Sequence, residues 1–164
     1  MIKKIKIYDL DGTLIDSSHR YRTDKTGERI DLNFWRENDI PEMIAKDSFL
    51  TLKKWLDEDL QRKDTYVIFA TARACVEGDA NYKYLKEHNV WPDKFIHRQG
   101  VNDNRGGAEL KLAAIKPLLN LKQFKKATIH IFEDNLSYLE KMTKAVFNMG
   151  RPVVGHYIPS NQGH

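Results

Sequence analysis

Residues 3–14, Lys-Lys-Ile-Lys-Ile-Tyr-Asp-Leu-Asp-Gly-Thr-Leu, constrain the fold more than any other part of this 164-residue chain. An alternating apolar run ends in two carboxylates, Asp9 and Asp11, followed at once by Gly12 and Thr13. The alternation predicts a buried strand over about 3–9, which delivers acidic groups to its carboxyl end. In an open α/β sheet that edge is where ligands bind. Two like charges so close together resist sharing a dry site unless a cation lies between them. Asp-x-Asp-Gly-Thr is therefore a candidate metal and phosphoryl-transfer site.

The rest of the chain alternates strand and helix patterns. Residues 12–30 are polar and turn-rich, which predicts a loop or flap beside the carboxylates. A short helix is expected over 32–38, stopped by Pro41. A longer helix is expected to be capped by Asp47 or Ser48, with Phe49, Leu50, Leu52, Trp55, Leu56 and Leu60 on its apolar face. Residues 65–70, Thr-Tyr-Val-Ile-Phe-Ala, read as a second buried parallel strand that ends at Thr71-Ala72-Arg73. Then follow a helix over 79–89, a strand over 94–97, a Gly- and Asn-rich loop over 98–107 and a helix over 108–119. A strand over 127–132, a helix over 135–148 burying Leu136, Leu139, Met142 and Val146, and a fifth strand over 153–157 complete the pattern. Residues 159–164 read as a loose tail.

This order predicts a doubly wound parallel sheet with helices on both faces, one domain over 1–164, and a small lid within 12–45 or no cap at all. Apolar residues at 41% and charged residues at 30% are ordinary for a water-soluble chain, and the formal charge of +4 leans toward an anionic partner. One cysteine, Cys75, allows no internal disulfide. With no membrane-length apolar run and no signal segment, a cytoplasmic location is expected.

Polar clusters fall where successive strands stop: Asp9 and Asp11, then Thr71 and Arg73, then Glu133 and Asp134. In a parallel sheet these ends share one rim. Mg²⁺ takes oxygen ligands, commonly one or two carboxylates completed by phosphate and water. Asp9 with Glu133 or Asp134 can supply the carboxylates, and Asp11 its backbone carbonyl.

At this point the chain resembles the haloacid dehalogenase superfamily, most of whose members are phosphatases. Asp9-Leu10-Asp11-Gly12-Thr13 is similar to its first motif and Phe69-Ala70-Thr71 to its second. Lys111 falls where the third-motif lysine is expected, and Phe132-Glu133-Asp134-Asn135 resembles the acidic fourth. The resemblance implies that Asp9 is the nucleophile that forms an aspartyl-phosphate. Asp11 is implied as the proton donor and later the base. Thr71 and Lys111 would hold phosphate oxygens, and Mg²⁺ would be bound by Asp9, Asp11, Glu133 and Asp134.

Cap insertions largely set substrate choice in that superfamily, and the intervals here leave room only for a modest lid. An open site accepting a bulky phosphate ester is expected. Arg98-Gln99-Gly100, Asp103-Asn104-Arg105 and then Lys111 further resemble the 3′-phosphatase module of bacteriophage polynucleotide kinase and related RNA-repair domains. That resemblance implies a polynucleotide 3′-phosphatase acting on a DNA or RNA 3′ end, with Thr13, Arg73, Arg98 and Arg105 as substrate contacts. The alternatives are a 5′-nucleotidase or small-molecule phosphatase of the same fold, and a catalytically silent binding domain. Trp35 in the lid is a candidate for stacking on a base, as are Arg20, Tyr21 and Arg22 for touching substrate. Trp55 is expected in the core, His130 on a sheet face, and Cys75 in no catalytic role.

Overall fold

In the computed structural model, residues 1–163 are described. Their elements run β1 (Lys4–Tyr8), β2 (Ile15–Asp16), α1 (Leu32–Glu37), α2 (Pro41–Ile44), β3 (Ser48–Phe49), α3 (Lys53–Gln61) and β4 (Thr65–Ala74). They continue through α4 (Ala80–Glu87), β5 (Lys94–Arg98), α5 (Gly107–Leu119), β6 (Thr128–Glu133), α6 (Leu136–Asn148) and β7 (Val153–Tyr157). Five strands pair in parallel in the order β5-β4-β1-β6-β7. The chain steps outward from β1 through β4 to β5, then crosses to β6 on the far side of β1. The order therefore reverses beside β1, and such a reversal opens a crevice at the carboxyl ends of the strands.

The two-residue period of the strands explains the two cores. Ile5, Ile7, Ile68, Ala70, Ile129 and Ile131 face α5 and α6. Tyr8, Val67 and Phe69 face the opposite way, toward Leu56 of α3 and Tyr84 and Leu85 of α4. Truncating one of these fully buried isoleucines, Ile68→Ala for instance, should cost about 2–5 kcal/mol. Register sets the site: Tyr8 pairs with Phe69 on one side and with Phe132 on the other. Asp9, one residue on, then stands beside Glu133 at the end of β6 and near Thr71 of β4, a strand that runs past its expected end at residue 70 to Ala74.

Several local expectations need correction. Pro41 does not stop a helix but starts α2, where its missing N–H is no loss. The helix expected from Asp47 begins at Lys53, because Ser48–Phe49 pairs antiparallel with Ile15–Asp16. That two-stranded ribbon closes the base of a flap over 17–47. Trp55 is 63% exposed rather than core. The row Leu52, Leu56 and Leu60 faces the sheet, and Trp55 lies outside it. Leu136 opens the first turn of α6 and is also exposed. The tail is not loose through residue 163: Gln162 is buried against Ser17. His164, the end of that expected tail, lies outside the described residues. Among the described residues no helix is long and apolar enough to cross a membrane.

Candidate active site

The turn after β1 carries the first half of the site. Gly12 takes φ +80°, open to glycine at no steric cost. A Cβ there would stand 2.1 Å from the Asp134 Oδ2 atom, so the turn packs directly on the acidic end of β6. Thr13, fully buried, donates to Asp9 Oδ2 at 3.0 Å and lies 3.4 Å from Asp134 Oδ1. Lys111, on the first turns of α5, reaches the same place from above. Its ammonium donates to Asp9 Oδ1 at 2.9 Å and to Glu133 Oε2 at 2.7 Å. Burial opposes the charge on Lys111, yet the Asp9 and Glu133 carboxylates hold it above the ordinary lysine value.

Asp9, Glu133 and Asp134 each present an oxygen, all within 4.8 Å of one another. All three are buried. Burial, then the charge of Asp9, pushes Glu133 up to about 7 and Asp134 up to about 9. Two of the three acids thus resist ionising beside a single ammonium, which marks a site short of positive charge, and the donor set is all oxygen. These residues fit a hard divalent cation such as Mg²⁺. Ser160 also donates to Asp134 Oδ2, at 2.7 Å.

Asp11 is turned away from that cluster. Arg73 grips it with two nitrogens, Nε to Oδ2 at 2.8 Å and Nη2 to Oδ1 at 2.6 Å, and Ser17 Oγ donates to Oδ1 at 2.6 Å. Burial alone would raise the Asp11 carboxyl, but the Arg73 guanidinium prevails and holds it below the usual range. Thr71, fully buried on β4, accepts from the Arg73 backbone N–H at 3.1 Å, which leaves its own hydrogen to donate.

A cavity of about 340 Å³ opens over these groups. The flap supplies one wall through Tyr21, Ile30, Leu32 and Trp35, and the loop after β5 supplies another through Val101 and Asn104. The short flap walls one side of this cavity, which stays open on another side. Arg20 does not reach the cavity but lies fully buried with its guanidinium 4.2 Å from the Trp35 ring centroid. Arg22 faces solvent, paired with Asp31 and stacked on Phe34.

The three arginines taken from the sequence as substrate contacts are all engaged within the chain. Arg73 is buried on Asp11, Asn81 and Asp47. Arg98 donates to the carbonyls of Ala72, Asp103 and Arg105 and so shapes its own loop. Arg105 is half-exposed at the cavity rim and pairs with Asp103 at 2.7 Å, which holds that carboxyl down at about 2. Cys75 is buried and pushed up to about 12, which keeps it a thiol. His130 stacks on His156 on a sheet face. Sequence reasoning missed Ser17, Ser160 and Gln162, and took Asp47 for a helix cap and Arg20 for a substrate contact. None lies in a motif, and each acts through a partner at least six and mostly more than twenty residues away, so spacing carries no trace of the pairing.

Fold and site together place the chain in the class of haloacid dehalogenase-type hydrolases. Within that class it belongs to the family of the bacteriophage T5 5′-deoxynucleotidase, which matches over residues 1–97. The 5′-deoxynucleotidase of Escherichia phage T5 is 32% identical over 92 residues, covering 54% of this chain and 36% of that protein. The chain thus spans about a third of the length of this curated relative. Among solved structures, a chain of the Pnkp1/Rnl/Hen1 RNA repair complex superposes with TM-score 0.61 at 17% identity, over 97% of this chain and 43% of that one. The HAD domain of effector protein Lem4 from Legionella pneumophila gives 0.61 at 14%, over 98% and 88%. A hydrolase from Streptococcus pneumoniae gives 0.59 at 13%, over 98% and 95%. At these identities the structural likeness speaks to the fold.

Proposed function

We propose that this chain is a divalent-metal-dependent phosphatase of nucleoside 5′-monophosphates, working through an aspartyl-phosphate on Asp9. The observation that carries the substrate reading is the flap-walled cavity of about 340 Å³ directly over Asp9, which lies near the lower end for small-molecule sites. Its apolar wall of Ile30, Leu32 and Trp35 suits a base, and its floor of Thr71, Lys111 and carboxylates suits a phosphate with its metal. Membership of the phage deoxynucleotidase family supports the same reading. The internal engagement of Arg73, Arg98 and Arg105 counts against a path for a polynucleotide strand, the substrate that the sequence suggested.

In this mechanism Asp9 attacks phosphorus and the bond to the ester oxygen breaks, while Asp11 supplies the proton that the leaving oxygen takes up. The negative phosphate entering beside Asp11 counters the Arg73 cation and so favours protonation of that carboxyl. In the second half water attacks the phosphoryl group and gives its proton to Asp11, and Asp9 is released with inorganic phosphate. Lys111 and the Thr71 hydroxyl bind the phosphate oxygens as their charge grows. A divalent cation held by Asp9, Asp134 and Glu133 would neutralise the charge of nucleophile and phosphate.

A substrate panel in Mg²⁺ tests this. A 5′-deoxynucleotide should exceed a 3′-phosphorylated oligonucleotide in kcat/KM by at least about tenfold, a gap of roughly 1.4 kcal/mol in transition-state binding. Asp9→Asn should abolish both activities. The reverse ranking would favour the 3′-phosphatase reading, for which the exposed Arg105 at the rim is the supporting feature. Activity on neither substrate would favour a silent binding domain.

A further inference from the structure

Arg73 clamps the proton-transfer residue, and Arg73 is itself held from outside the turn that carries Asp11. That support comes from the flap and from Asn81 of α4. Asp47, whose side chain is 0% exposed, accepts from Arg73 Nη2 at 3.3 Å. The same carboxylate is held from behind by Arg20, with Nε to Oδ1 at 3.0 Å and Nη2 to Oδ2 at 2.9 Å. Its backbone is fixed as well, since Tyr84 of α4 donates its hydroxyl to the Asp47 carbonyl at 2.8 Å. His19 Nε2 lies 3.4 Å from Asp47 Oδ1, and Asn81 takes the remaining Arg73 nitrogen at 3.0 Å. The groups form one chain: Asp11, Arg73, Asp47, Arg20. Neither Asp47 nor Arg20 lines the cavity.

We propose that Asp47, braced by Arg20, is a positioning residue that fixes the plane of the Arg73 guanidinium and thereby aims the Asp11 carboxylate at the leaving oxygen. The inference rests on the proton-transfer role proposed above for Asp11. A planar fork tied to Asp11 alone can swing about that contact; anchored also at Asp47 and Asn81, it cannot. Desolvation makes a fully buried ion pair a poor source of net stability, so its presence is better explained by the geometry it enforces. A misplacement of a catalytic group by about 1 Å can cost about 10² in rate.

Single-turnover release of the leaving group tests this, because it isolates the first step. The two substrates are a 5′-deoxynucleotide, whose alkoxide must be protonated to leave, and 4-nitrophenyl phosphate, whose phenolate leaves without a proton. Asp11→Asn should slow nucleoside release by about 10²–10⁴ and nitrophenolate release far less. Asp47→Asn should show the same signature in weaker form, at least about tenfold on the nucleotide, under about threefold on the aryl ester and KM little changed. Arg20→Lys keeps a cation beside Asp47 but removes the fork. It should lose in the same pattern, and it serves if Asp47→Asn does not fold, as judged by circular dichroism. Equal losses on both esters, or none on either, would make the network merely structural and overturn the inference. If Asp11→Asn itself fails to separate the esters, the role of Asp11 falls and this inference with it.

Discussion

Lys111 sits between two carboxylates and a third lies within reach of both, so charge balance at Asp9, Glu133 and Asp134 dominates the chemistry of single residues here. In the unfolded chain these acids titrate near 4. In the folded chain without a cation, Glu133 stands at about 7 and Asp134 at about 9, raised by burial and by Asp9. Between those limits the folded chain keeps protons that the unfolded chain has released. The contribution of Glu133 and Asp134 to stability is full below about pH 4 and is lost as pH rises toward 9. In EDTA the Tm should decline from pH 6 to 9. Saturating Mg²⁺ should flatten that decline and raise Tm by about 5–10 °C at the alkaline end. A Tm in EDTA that does not fall, or that Mg²⁺ shifts no more at pH 9 than at pH 6, would show that the cluster holds no such strain. These acids were legible from the sequence because each ends a strand. The pairing of Asp47 with Arg20 was not, since Asp47 beside Ser48 reads locally as a helix cap.

At the scale of elements, the turn and the flap divide the work. The turn over 10–15 is held by backbone bonds: the N–H groups of Thr13, Leu14 and Ile15 all converge on the Leu10 carbonyl at 2.9–3.1 Å. Gly12 lies inside it, against Asp134. Gly12→Ala adds a methyl where the backbone already has φ +80° and where the Asp134 carboxylate stands 2.1 Å away. The variant should lose at least about 10² in kcat/KM and require more Mg²⁺, because Asp134 must move, while a loss confined to Tm would show that Asp134 has room to relax. The strands and helices of the sheet were readable from periodicity, since period 2 and period 3.6 separate cleanly there. The flap was not. Its ribbon of two-residue strands is too short to show any period, and its fold is decided by Arg20, Asp47 and Trp35 meeting across the chain.

Over the whole molecule, the reversal of strand order beside β1 explains why groups from opposite ends of the sequence share one crevice. The last described residues extend this. Beyond β7 the chain continues past Glu133, with the Ile158 N–H donating to the Glu133 carbonyl at 3.0 Å, and then crosses the site. Ser160 donates to Asp134 at 2.7 Å, and Gln162 donates through Nε2 to Ser17 Oγ at 2.9 Å. Ser17 in turn donates to Asp11. One segment thus braces an acid from each half of the site. The sequence of 159–164, Pro-Ser-Asn-Gln-Gly-His, carries no hint of it, because the partners are supplied by the fold. The Ser160 hydroxyl favours the charged form of Asp134, against the burial that raises it. Ser160→Ala therefore leaves Asp134 harder to ionise and less well aimed. Since groups that support a metal ligand typically contribute about 10–100-fold in affinity or activity, the Mg²⁺ concentration for half-maximal activity should rise by about tenfold. The shift should be larger at pH 7 than at pH 9.5, where the difference in ionisation of Asp134 between the two proteins narrows. An Mg²⁺ requirement unchanged at pH 7 would mean that the segment merely covers the crevice and leaves the metal to the strand ends.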